Sequence, residues 1–441
     1  MKKKYRLLCM LAFVMLGAGY ALCDDEDASV ELRWSGFSSM EAGQVVAGES
    51  DWGEIGSKSS PYHVWLQKLY TGYNTQILFN SLPIVGNVGM GMKVTNEYPV
   101  YSGDKGQSRR LFYYPYLSRS DLTYSFGNSD DPSMSLTLGY FPFKYNSDAR
   151  NLGEYMFRSG TYPQYLITDF DFAAARLLGF HLDGKISESF KWDILATFNT
   201  EWAAIGDLNL TGIASYQPIP FLTLGAGAGW FSLVSANWDQ TTPVKNGNSY
   251  IKDGKRYYYT FAGQKVMGRF SLDPQSLFHK EIFGPEDLKI YSEAAILGVI
   301  NYPESEDGKF SYDDIKKRIP VMFGLNIPAF KILDVLSLQA EWFGSDYVND
   351  LSPIIFDNAP EALSTIHDVR STYDVNEDHK GDDWKWSLYG KRTFKEHFQI
   401  TFQFARDHMR WYRYDYTVQD GREALRSNKD WYYIMKLGYV F

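Results

Sequence analysis

Polar and apolar residues alternate along this chain with a period of two. Between residues 190 and 201, Lys191, Asp193, Thr197, Asn199 and Glu201 share one phase, and Phe190, Trp192, Ile194, Ala196 and Phe198 share the other. After His397, Phe398, Ile400, Phe402 and Phe404 alternate with Gln399, Thr401 and Gln403. Before Gly390, Trp384, Trp386 and Leu388 alternate with Lys385, Ser387 and Tyr389. Successive side chains of a strand point to opposite faces, so each segment has one wet face and one apolar face. Soluble sandwiches alternate too, but they hide the apolar face in a shared core. A barrel in a bilayer turns it outward and keeps the polar phase for a water-filled interior.

Segments of this kind fall near residues 30–46, 69–80, 82–98, 109–127, 133–146, 168–183, 189–201 and 207–216. The second half adds 219–235, 257–273, 286–302, 315–327, 332–346, 383–393, 397–411 and 429–441, which makes sixteen strands, an even number as bacterial single-chain barrels require. Short connections at Ser81, Asn128 to Pro132, Gln217 to Pro218 and Phe394 to Glu396 interleave with long ones. Residues 274–285 form a connection too long for the short-turn side, so fourteen and eighteen strands are the neighbouring readings. The expected fold is an all-β transmembrane antiparallel β-barrel in a single domain.

The final segment sets Tyr433, Met435, Leu437, Tyr439 and Phe441 on one wholly apolar face. This ladder resembles the C-terminal assembly signal of Gram-negative outer-membrane β-barrels, closely over about ten residues and elsewhere in architecture only. The resemblance to the porin class implies insertion by the barrel-assembly machinery and passive diffusion of small hydrophilic solutes. It also implies contact with outer-membrane lipids and lipopolysaccharide, and commonly assembly as homotrimers, a point on which the sequence is silent.

Composition agrees. Aromatic residues make up 17% of 441, with 33 Tyr and 37 Gly, the profile of many short strands and turns rather than of disorder or coiled coil. The first residues carry Lys2, Lys3, Lys4 and Arg6, then an apolar stretch, then Ala21 and Cys23. A transmembrane helix needs roughly 20 apolar residues and this stretch holds about 13, so residues 1–23 read as a cleaved signal peptide and 24–441 as the barrel. Lipid attachment at Cys23 would want a small residue where Leu22 stands. Cys9 and Cys23 are the only cysteines, which leaves residues 24–441 without disulfide, thiolate metal site or cysteine nucleophile. Cleavage would move the net charge from -9 to about -13, against a nucleic-acid partner. Mean hydropathy is -0.33 and no second long apolar run occurs, which excludes a helical membrane protein.

Catalytic signatures are missing: no G-x-S-x-G, H-E-x-x-H, G-x-x-x-x-G-K-[ST] or C-x-x-C. Gly225, Gly227 and Gly229 alternate with Leu224, Ala226, Ala228 and Trp230, and so read as the small-residue lumen face of a strand rather than a nucleotide loop. The expectation is no enzyme, no cofactor and no metal. Selectivity in a channel comes instead from width and from charge at the narrowest point.

Two loops carry candidate chemistry. Residues 147–167 form the third long loop. Asp148 to Arg158 has helical propensity, with Ser147 or Asp148 as N-cap and Leu152, Tyr155 and Met156 on one side. By resemblance to porins, whose third loop folds inward, Asp148, Arg150, Glu154 and Arg158 are candidate constriction residues, though the Pro-Glu-Phe-Gly-Gly pattern of enterobacterial general porins is lacking. The alternative is an ordinary surface loop. Residues 348–381 are acidic, with Asp350, Asp357, Glu361, Asp368, Asp374, Glu377 and Asp378. They show no EF-hand spacing and read as a solvated loop facing lipopolysaccharide.

Sorting strands by phase puts Arg33, Lys93, Arg119, Lys191, Lys265, Arg269, Lys289, Arg318, Lys385, Lys391 and Lys436 on the lumen wall. Against these stand Glu41, Asp121, Asp171, Asp193, Glu293, Glu341 and Asp407. The mid-wall excess is positive although the chain is acidic. Loop charges are screened over roughly 8 Å at physiological ionic strength, so weak anion preference is expected. The rival function is a non-channel surface protein that binds polysaccharide or cells through its long loops.

Overall fold

The structure, a computed structural model, describes residues 30–46, 64–79, 83–98, 110–128, 131–158, 174–200, 205–236, 249–258, 261–278, 281–301, 314–345, 382–409 and 430–441, with Pro303, Glu306 and Leu425 standing alone. Residues 1–23 and the acidic stretch 348–381 lie outside the described residues.

Nine strands run first: β1 (Val30–Val46), β2 (Val64–Phe79), β3 (Ile84–Tyr98), β4 (Arg110–Phe126), β5 (Met134–Phe143), β6 (Ala175–Ser187), β7 (Phe190–Phe198), β8 (Leu208–Ile219) and β9 (Leu222–Val234). A separate hairpin of β10 (Ser249–Lys252) and β11 (Lys255–Tyr258) follows. Then come β12 (Gly263–Leu272), β13 (Ile290–Ile296), β14 (Val321–Asn326), β15 (Val335–Ser345), β16 (Asp382–Phe394), β17 (Phe398–Arg406) and β18 (Trp431–Val440). Apart from β10 and β11, every strand pairs antiparallel with its chain neighbours, and β1 pairs with β18, closing one sixteen-stranded barrel. That is the size class in which a barrel encloses an aqueous channel rather than filling itself with side chains.

Closure is built from the last apolar ladder. The N–H of Phe441 donates to Gly36 O at 3.0 Å, and the N–H of Gly36 donates to Phe441 O at 2.9 Å. The Phe441 ring lies on Gly36, where an added Cβ would run into Cζ of the ring. Trp34, Tyr73, Phe441, Tyr439 and Phe398 continue as an aromatic belt at the short-turn rim, with centroid spacings of 4.8–6.3 Å. Above it the outward phase stays apolar and exposed: Met90, Met92, Trp384 and Leu437 all face away from the lumen. A surface of that extent is what a bilayer covers.

Element boundaries depart from expectation where side-chain contacts override alternation. The segment expected at 168–183 is a strand over Ala175–Ser187, and residues 168–173 lie outside the described residues. Those expected at 286–302 and 315–327 shrink to Ile290–Ile296 and Val321–Asn326. Lys289 therefore precedes β13, and Arg318 sits in a 3-10 turn (Ile315–Arg318) where its guanidinium donates to Gly298 O and to Asn301. The long short-side connection holds one helical turn, α1 (Gln275–Phe278), and is pinned by Asp287, which accepts from the N–H groups of Gly284, Ala329 and Phe330. A built knuckle, not an additional hairpin, accounts for its length.

Candidate functional site

The third long loop leaves β5 and turns into the barrel. Residues 148–157 are almost wholly sealed from solvent, and their contacts lie on strands far away in sequence. The expected helix over Asp148 to Arg158 does not form; the segment is a chain of turns. Its N–H groups go to the wall instead of to carbonyls four residues back: those of Asn151 and Leu152 donate to Gln339 Oε1 on β15 (2.8 and 3.1 Å), and that of Tyr155 to Glu293 Oε1 on β13 (2.9 Å). Gly153 and Glu154 adopt left-handed backbone, φ +90° and +62°, which breaks the α-helix. At Gly153 the loop passes so close that a Cβ would stand 2.7 Å from Met322 Cε on β14. One turn survives, with the N–H groups of Phe157 and Arg158 donating to Glu154 O.

Side chains complete the docking. Glu293 accepts from Tyr145 Oη (2.6 Å) and Asn146 Nδ2 (2.7 Å), Glu341 accepts from Tyr155 Oη (2.6 Å) and from His408, and Asp407 accepts from Asn151 Nδ2 (2.7 Å) and Tyr432 Oη (2.6 Å). Lys265 on β12 donates to Tyr155 O at 3.3 Å. Burial, then the neighbouring carboxylates Glu293 and Glu341, push the Tyr145 and Tyr155 phenols well above their usual range, so both stay protonated donors. Beneath these bonds lies a dry core inside the lumen. Leu152, Met156 and Phe157 of the loop pack with Phe143, Leu195, Ile213, Phe231, Met267 and Met322 of the wall. The glycine phase of β9 makes room for it: a Cβ at Gly229 would meet Phe231 Cζ at 2.5 Å and Met156 Cε at 3.0 Å, and one at Gly225 would meet Arg269 Nε at 2.6 Å.

The four candidate residues separate. Arg150 Nη2 donates to Glu286 Oε2 (2.7 Å), Asp148 stands 3.9 Å from Lys289, and Arg158 Nη2 donates back to Asn151 O (2.5 Å). Glu154 is fully buried, with Oε1 accepting the N–H of Asn146. Burial, then the Glu293 carboxylate, raise its pKa to about 8, while burial lowers that of neighbouring Lys144 to about 8.

The other charges of the wall are arranged differently. Asp121 on β4 is buried and accepts from Asn87 Nδ2 (3.0 Å) and Arg119 Nη2 (3.0 Å), while Lys93 lies over the Tyr70 ring at 4.7 Å. Asp193 pairs with His181 at 2.9 Å, Arg269 donates to Ser215, Lys436 lies 3.6 Å from Glu41, and Lys191 is exposed. Arg33 pairs with Glu31 near the short-turn rim. Lys385 and Lys391 lie on β16, opposite Glu341 and Val335 of β15 in register. Asp171 lies outside the described residues.

No family model matches the sequence, and neither does any curated protein. Among solved structures, an engineered variant of the porin of Rhodopseudomonas blastica aligns with TM-score 0.44 and 8% identity, and a triple mutant of the same porin with TM-score 0.44 and 7% identity. Each alignment covers 93% of this chain and 100% of that one. The barrel assignment stands on the strand pairing itself. Sequence reasoning missed Gln339, Tyr145, Asn146 and Asn151, and placed Tyr155 only on one side of a turn. Their signal was present as lumen-phase acceptors gathered on β13 and β15 and just beyond β17, matched to a loop rich in amide and phenol donors.

Proposed function

We propose that the chain is a channel of a Gram-negative outer membrane for passive diffusion of small hydrophilic solutes, narrowed by segment 144–158 and weakly anion-preferring. The observation that carries this reading is a loop folded into a sixteen-stranded barrel and fastened to its far wall. Residues 1–23 direct export, and the ladder Tyr433, Met435, Leu437, Tyr439, Phe441 directs insertion by the barrel-assembly machinery. The outward band meets lipid and lipopolysaccharide, and homotrimers are the proposed assembly.

Anion preference is supported by unequal exposure within two charge pairs of the strand wall, while beside the loop the Arg150–Glu286 pair leans the other way, 20% against 30%. The Arg119 side chain keeps 34% of its surface where Asp121 keeps none, and Lys436 keeps 20% where Glu41 keeps 1%. Carboxylates withdrawn from lumen water act less on passing ions than the bases beside them. Stepwise conductance in planar bilayers tests the channel, and a reversal potential toward the anion across a KCl gradient tests its preference. Clear cation selectivity would return control to the acidic loops. The rival surface-protein reading draws on the β10–β11 hairpin, which stands outside the barrel sheet with Tyr250 and Tyr257 stacked at 5.6 Å and Ile251 exposed. Insertion without conductance would favour it.

A further inference from the structure

Glu154 is a sealed carboxyl group that an open channel has no evident use for. One oxygen, Oε1, accepts the N–H of Asn146; the other is buried and has no hydrogen-bond partner among the described residues. Asn146 also gives its side-chain amide to Glu293, so one residue spans both carboxyl groups and holds them close. Two carboxylates in one dry site do not both ionise without strong repulsion, and a buried oxygen without a donor is far less costly on a neutral acid than on an anion.

We propose that Glu154 is a protonated latch: buried as the neutral acid against Glu293, it holds segment 144–158 on the barrel wall, and loss of its proton lifts the segment.

The other charged groups around the loop are engaged elsewhere. Within the segment, Lys144 donates to Ala149 O at 2.5 Å, Arg150 is paired with Glu286, Arg158 is turned back to Asn151, and Asp148 lies near Lys289. On the packed strands, Lys265 points to Tyr155 O. Glu341 is held by Tyr155 and His408, and Asp407, just past β17, by Asn151 and Tyr432. Glu293 is the acid facing Glu154, and Lys144 and Arg158 are the cations that oppose its effect.

The sign of the pH dependence follows. The docked pKa of Glu154 is raised to about 8, above the ordinary carboxylate value that the lifted loop regains. Its contribution to docking is therefore complete in acid, declines as pH climbs from the ordinary carboxylate range, and is gone once pH passes about 8. Lys144, lowered to about 8, acts oppositely. Its buried cation penalises docking below about 8, and that penalty is relieved from there upward. Docking is weakest near pH 8.

The test places a reporter thiol at Ala149→Cys, a fully buried position in a chain whose other cysteines lie in the first 23 residues, and reads maleimide labelling at residue 149 by peptide mass. Comparing this protein with its Glu154→Gln counterpart at each pH cancels the chemistry of the thiol itself. The labelling ratio should grow between pH 5 and 8, by up to about tenfold per pH unit for one linked proton. A ratio that does not change with pH overturns the latch. If the Gln variant does not assemble, Glu293→Gln serves: burial remains but the repulsion is removed, so the pH at which labelling stops rising should fall below about 8, and an unchanged upper limit overturns the proposal equally. This inference rests on the channel reading only for its second readout, open-channel fluctuations that rise over the same window. A protein that never conducts defeats the channel, while the labelling still decides the latch.

Discussion

Two stretches of the lumen wall use their carboxylates differently. On β3 and β4, Asp121 is satisfied by Asn87 and Arg119, neighbours on the same sheet, and among the described residues it takes no bond from a loop. From β13 to just past β17, Glu293, Gln339, Glu341 and Asp407 accept from Tyr145, Asn146, Asn151, Leu152 and Tyr155, so the wall is complete only when the loop is docked. A polar lumen phase can thus serve water or a second layer of protein, and period-two alternation is the same in both cases.

The comparison breaks most visibly at Glu293. Glu293→Leu leaves the Tyr145 hydroxyl, the Asn146 amide and the Tyr155 N–H without their acceptor, at about 1–3 kcal/mol for each group left unsatisfied. The loop should lift and single-channel conductance rise, with larger fluctuations; an unchanged trace would mean that the dry core alone holds it. Next in size is the seam. Gly36→Leu would force a side chain into the Phe441 ring, and deleting Phe441 removes that ring, so either change should lower the heat-modifiable, membrane-resident fraction on gels. Arg150→Ala with Arg158→Ala removes the Glu286 pair and the bond to Asn151 O, and should raise conductance less than Glu293→Leu does. Smallest is Arg119→Ala on the β3–β4 wall. It should leave conductance nearly unchanged and move the KCl-gradient reversal potential slightly toward the cation.

The sixteen strands were legible because a lipid-facing phase and a lumen phase must alternate wherever a strand crosses the membrane, and residues such as Phe398 and Trp384 keep that rule. The loop was legible only in part. Its helical propensity was real, but propensity is a weak prior, and Gln339 and Glu293 outcompete the helix for its N–H groups. Nor could the alternation show that Glu154 is sealed while Arg150 reaches Glu286, since the left-handed backbone at Gly153 and Glu154 departs from any regular period.

The pairing of β1 with β18 has a consequence for how the molecule is made. Every other pairing of the barrel joins strands that follow one another along the chain, β9 and β12 with only the β10–β11 hairpin between them; this one joins the first strand to the last. It has the greatest sequence separation of any pairing, and forming it carries the largest loop-closure cost. Until β18 arrives, β1 and β17 present open edges with unpaired N–H and C=O groups, the kind of template that recruits another chain. A partly assembled barrel is therefore exposed at both ends at once, and the Phe441 ring settling on Gly36 marks the step at which that exposure ends.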